Sequence, residues 1–146
     1  MLNESRSDIY DYLYNLFYGV VTENVYEMRV PQELTDSDTE NGFLVIHVGN
    51  LIDESEFTGQ AFGEVRCFVE AYIPQISRGR VNHDIYALME NSILEVIKQA
   101  SAVRDGTYHV EEDTLLSTDG DDTSNAGNSY FTFIKSFIVN IESNSD

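Results

Sequence analysis

Cysteine occurs once in this sequence, at Cys67, and lysine and arginine occur eight times in all against 26 aspartates and glutamates. A single thiol excludes an internal disulfide and a cysteine-rich metal framework. In the run VRCFVEAYIP it reads as a small buried hydrophobe rather than a reactive group. The shortage of cations leaves no basic stripe along any element. Binding to a phosphate backbone, or to an anionic membrane surface, is therefore disfavoured. No apolar run reaches the ~18–20 residues that cross a bilayer. The start MLNESRSD has neither the basic nor the apolar segment of a secretory leader. Synthesis in a reducing cytoplasm is the expectation.

Motifs that carry chemistry are also missing. There is no G-x-S-x-G, no H-x-x-x-H pair and no C-x-x-C. Gly59 and Gly63 lack the Lys-Ser/Thr that would complete a phosphate-binding loop. His47, His83 and His109 are scattered, with His83 placed for helix capping or an interface. The run Asp119, Gly120, Asp121, Asp122 has the composition of a calcium loop but not its register, and reads as a solvated turn. Carboxylate pairs are so abundant that they carry no information. The sequence thus predicts no catalytic residue, no metal, no cofactor and no enzyme.

What is present is a foldable pattern under a heavy charge. The formal charge is −18, yet 42% of residues are hydrophobic and 12% aromatic. Chains this acidic often stay disordered for want of apolar surface to bury. This one has enough to fold, and its carboxylates must then lie on a surface that repels anions. The 146 residues fit one domain, 1–146.

The first helix is signalled by Ser5 and Asp8 as a capping pair, by Ile9, Tyr12, Leu13, Leu16, Phe17 and Val20 on one face, and by Gly19 as its end. Tyr10, Tyr14 and Tyr18 form a second, aromatic stripe. A strand over Val25–Val30 stops at Pro31, with a polar linker, QELTDSDTENG, after it. Phe43–Val48 is apolar enough to be a central strand with both faces covered. Residues 49–63 read as a long loop carrying Phe57 and Phe62 among glycines, and Glu64–Ile73 as a strand stopped by Pro74. The connector PQISRGRVN leads to Asn82, the expected N-cap of a long helix with Ile85, Leu88, Met89, Ile93, Val96, Ile97 and Ala100 on its apolar face. Thr107–Glu112 reads as a strand and 113–129 as an acidic loop. The last strand is Tyr130–Ile141, with Phe131, Phe133, Phe137, Val139 and Ile141 on one side, before a short polar tail. The expected order is α-β-β-β-α-β-β. That is an α+β fold with a mostly antiparallel sheet of about five strands and two main helices.

Arg78-Gly79-Arg80 is the only basic cluster, on a connector, where guanidinium forks suit carboxylates of this chain or of a neighbouring copy. Arg78, Arg80, Phe57 and Phe62 are the expected subunit-contact residues.

The element order resembles that of phage tail-terminator and tail-completion proteins. A leading helix precedes strands like Val25–Val30, Phe43–Val48 and Glu64–Ile73, then come a long helix like Asn82–Arg104 and a closing strand like Tyr130–Ile141. The stretches GFLVIHVGN, before a long loop, and SRGR, before the helix, add to the likeness. The resemblance implies a structural virion protein, made in the host cytoplasm. It would assemble as a closed ring, often of six copies, at the neck, against other neck, tail-tube or connector proteins, with DNA passing through the lumen. It implies loops 49–63 and 113–129 as arms, and Arg78 and Arg80 facing acidic loops of the next copy. Neither specific nucleic-acid binding nor membrane contact is implied. The alternatives are an acidic DNA mimic that inhibits a DNA-binding host protein, and a small enzyme whose site is assembled from distant residues.

Overall fold

Ser5 opens the first helix as its spacing to Asp8 predicts, in a computed structural model that describes residues 5–53, 61–77, 80–103, 107–125 and 128–143. Helix α1 is Arg6–Phe17. The Ser5 hydroxyl accepts from the Asp8 N–H at 3.3 Å, and the Asp8 carboxylate accepts from the Ser5 N–H at 2.8 Å. Those Ser5 hydrogen bonds hold the Asp8 carboxyl below its ordinary value. Ile9, Leu13 and Phe17 are buried. The helix ends one turn early for Val20, which lies beyond Gly19 (φ 77°) and is exposed instead of joining the apolar face.

Strand β1 is Val25–Glu27, half the expected Val25–Val30. Met28 has φ 65° and turns the chain out of extended geometry before Pro31 is reached. The expected linker contains a helix, α2, Asp36–Asn41. Thr35 and Asp38 form its capping box, a T-x-x-D signal that the polar composition masks. Strand β2, Phe43–Val48, is buried on both faces except at His47.

The expected loop over 49–63 is shorter than that. Strand β3, Ile52–Asp53, and the start of β4, Ala61–Ser77, take residues from both of its ends, and pair with each other. Strand β4 also runs through Pro74 instead of stopping there. The Pro74 carbonyl accepts from the Asn82 N–H at 3.2 Å, just past strand β5, Arg80–Val81, so its imino nitrogen faces Asn82 as well, on the side away from its partner Tyr130. The bond that an N–H would make there is not missed, because the Asn82 carbonyl accepts from the Tyr86 N–H at 3.0 Å. The predicted connector is thus a hairpin of β4 and β5.

Helix α3 is His83–Ala102, and the Asn82 side chain accepts from the Ile85 N–H as expected of its N-cap. Met89, Ile93, Val96 and Ile97 are buried, whereas Leu88, placed on that face by spacing, is exposed. Strands β6, Tyr108–Asn125, and β7, Asn128–Ser143, replace the expected acidic loop at 113–129 with a long hairpin. Its pairing jumps between Glu112 and Ser117 and between Asp119 and Asp122, so the run read as a solvated turn is a bulge in a strand.

The fold is α+β. The sheet runs β1-β2-β4-β7-β6, with β3 and β5 beside β4. Among the described strands only the β1/β2 pair is parallel. The five strands of the main path match the expected number, and the two short strands and α2 are additions. Helices α1 and α3 cover one face, over Leu44, Ile46, Val69, Phe133, Phe137 and Val139. The Phe17 and Phe137 rings meet at 6.1 Å. Among the described residues, the other face is covered at one end, where Tyr26, Val30 and Leu34 pack on Phe43, Val45, Tyr72 and Tyr130. Among the described residues no helix is long and apolar enough to cross a membrane.

Candidate functional site

Strand alternation sorts the polar groups of this molecule onto the face away from α1 and α3. Val45 pairs with Glu70 and His47 with Phe68, so His47, Phe68, Glu70 and Tyr72 form one cluster. The His47 ring stacks on Phe68 at 4.3 Å. Its Nε2 lies 3.6 Å from the Glu70 Oε1, beyond hydrogen-bond length, so the contact is electrostatic when the imidazole is charged. The Tyr72 hydroxyl donates to the same oxygen at 2.7 Å. His47 lowers the Glu70 carboxyl and Tyr72 adds to this, against burial, which raises it. Burial first, and then Glu70, push the Tyr72 phenol well up.

A second cluster lies at the covered end. Asp38 is completely buried. The Tyr26 hydroxyl lies 2.7 Å from both of its carboxylate oxygens, and the Thr35 N–H donates to Oδ2 at 2.9 Å. Burial, reinforced by Asp38, pushes Tyr26 up to about 12. The Tyr130 phenol is raised by burial and then by the Asp38 charge.

Chemically, these clusters lock structure. His47 Nε2 is closed to solvent and aimed at Glu70, so it is not presented to a ligand. The histidines stay apart. His47 on β2 and His109 on β6 are three strands apart across the sheet and, at the levels of Ser136 and Asn140 of β7, four residues apart along it, about 19 Å in all, and His109 Nε2 sits 3.1 Å from the Ser101 carbonyl. His83 is exposed at the start of α3, where Asn82 does the capping. Cys67 is buried, and burial pushes its thiol up to about 12, which fits an inert core residue.

Two of the four expected contact residues, Phe62 and Arg80, fall within the described residues. Phe57 and Arg78 lie outside the described residues. Phe62 pairs with Glu142 near the start of β4, while Arg80 pairs with Ser77 at its end and is exposed. Fifteen residues of strand, roughly 50 Å, separate the two positions. Sequence reading missed the Glu70 and Asp38 clusters. Their signals were the Glu70/Tyr72 alternation and the Thr35/Asp38 spacing.

Glu70→Gln should cost about 1 kcal/mol at neutral pH. The Glu70 carboxyl is depressed in the folded state, so its contribution is present above the ordinary value of 4.5 and is lost as pH falls through the lower folded value. Urea unfolding of the two proteins should therefore differ at pH 7 and converge in strong acid. A gap that persists there would show that the loss is steric. No family model and no curated protein matches the chain.

Proposed function

We propose that the protein is a structural ring subunit of a tailed-phage neck, joining tail to head and letting DNA pass through its lumen. The observation that carries this reading is a charge of −18 on a folded α+β domain whose element order resembles that of tail-terminator proteins. A carboxylate-rich lumen would offer phosphates no counter-charge, so DNA would slide without sticking. The two sheet edges also differ, as a head-to-tail ring requires of its two contact patches. At the β1 edge, Arg6 donates to the Val48 carbonyl at 2.7 Å, and the Val48 N–H meets the Met28 sulfur at 3.3 Å, which caps what β1 leaves unpaired. The β6 edge is built differently, with His109 Nε2 3.1 Å from the Ser101 carbonyl of α3. In this reading the protein has no catalytic role and works in the virion.

Solution mass across a concentration series, with negative-stain images, tests this. Closed rings, or discs seated on tail tubes, are the expected result. Tight capture of a DNA-binding protein that weakens steeply with salt would favour the DNA-mimic reading instead. Sequence-selective binding of a duplex would sink both.

A further inference from the structure

The longest strand of the sheet is also one of its edges. Strand β6 ends the strand order, and among the described residues no backbone hydrogen bond reaches it from any strand but β7. Past His109, whose Nε2 sits against the Ser101 carbonyl of α3, the outer edge of β6 from Val110 to Asn125 has no strand beside it among the described residues, and such an edge is a template for another chain. Its sequence selects the occupant. It carries Glu111, Glu112, Asp113, Asp119, Asp121 and Asp122 and no lysine or arginine. Antiparallel pairing with the same edge of a second copy, in full overlap, would set Glu111 opposite Asp122 and Glu112 opposite Asp121. Like charges directly opposite are destabilising. The occupant must be cationic and must offer its own unpaired edge.

The chain carries such a surface across the sheet from β6. Strand β5 pairs with β4 alone, on the side of β4 away from β7. Arg80 on it is exposed, and Ile76 beside it on β4 is 69% exposed, the highest value among the described large hydrophobics. A short cationic edge with an uncovered isoleucine therefore lies on one side of the sheet, and a long anionic edge on the other. We infer that the β4–β5 hairpin of one copy docks on the outer edge of β6 of the next, with Arg80 toward the exposed Glu111 and Glu112. Each copy then gives one patch and receives the other, so the contact is heterologous and propagates. This rests on the ring reading above and names the surfaces that would make it.

The test is sedimentation velocity on the full chain and three variants, Arg80→Glu, Glu111→Arg with Glu112→Arg, and all three changes together. The first two should weaken association about tenfold or more with thermal midpoints unchanged, and the combination should restore it to within about threefold. A fourth variant, Arg80→Gln, which removes the charge without reversing it, should weaken association less than Arg80→Glu, which keeps the idea testable should the reversed variant fail to fold. Assembly that ignores both Arg80 changes, or a charge swap that fails to rescue, overturns this contact and leaves the ring. An unmodified chain that stays monomeric at every concentration overturns both.

Discussion

Replacing Asp38 by alanine is expected to cost about 3–4 kcal/mol, a large share of the ~5–15 kcal/mol that holds a domain together. The carboxylate is completely buried and takes hydrogen bonds from the Tyr26 hydroxyl and the Thr35 N–H. Alanine would strand both donors away from water and leave a void beneath α2. It would also remove half of the capping box. Asp38→Asn keeps the shape and loses the charge, so it should cost less, about 1–2 kcal/mol. Urea midpoints give both values. The phenol of Tyr26 supplies a local readout. Burial is the largest single cause of its rise to about 12, and the Asp38 hydrogen bond and charge add to it, so titration of Asp38→Ala should show a fall that stops short of the ordinary phenol value. A loss under about 1 kcal/mol would mean that α2 is held down by the apolar contacts of Val30 and Leu34 instead.

Asp38 also shows what a sequence reveals and what it hides. Elements with strong periodicity were readable: α1 from Ile9, Leu13 and Phe17, α3 from Met89, Ile93 and Ile97, and β2 from its unbroken apolar run. Those patterns report burial against one face, which local sequence encodes directly. Helix α2 was hidden because its six residues, DSDTEN, contain no apolar position, and only the Thr35/Asp38 spacing betrays it. The β6–β7 hairpin was hidden for a related reason. Edge position leaves β6 little to bury, so its acids and glycine read as loop until pairing with the apolar β7 is seen. Pro74 misled in the other direction, since a proline stops a strand only where its missing N–H is needed. The Glu70 cluster depends on register across β2 and β4, which alternation within either strand does not fix.

Gly42→Ala should be as damaging as any single substitution here, at about 4 kcal/mol or more, because two costs coincide. Gly42 ends α2 with φ 81° and ψ 179°, a region essentially reserved for glycine. A Cβ there would also clash with the Tyr72 carbonyl oxygen and lie 3.2 Å from Met89 Cε and Pro74 Cδ. The methionine can swing aside. The Tyr72 carbonyl belongs to a strand held by β2 and β7, and the proline ring is rigid, so neither yields cheaply. Gly19→Ala separates the two costs. Its φ is 77°, yet nothing lies within 4 Å of the added Cβ, so it should lose only about 1 kcal/mol of backbone strain. The difference between the variants, read from urea midpoints on the same protein, then measures the clash with β4. Equal losses would mean that α2 can shift away from the sheet. The junction argues otherwise, for the Gly42 N–H donates to the Asp38 carbonyl at 3.0 Å while its own carbonyl accepts from Asn24 Nδ2 at 3.1 Å, so a shift that frees the Cβ breaks both bonds and pulls on the buried Asp38 carboxylate.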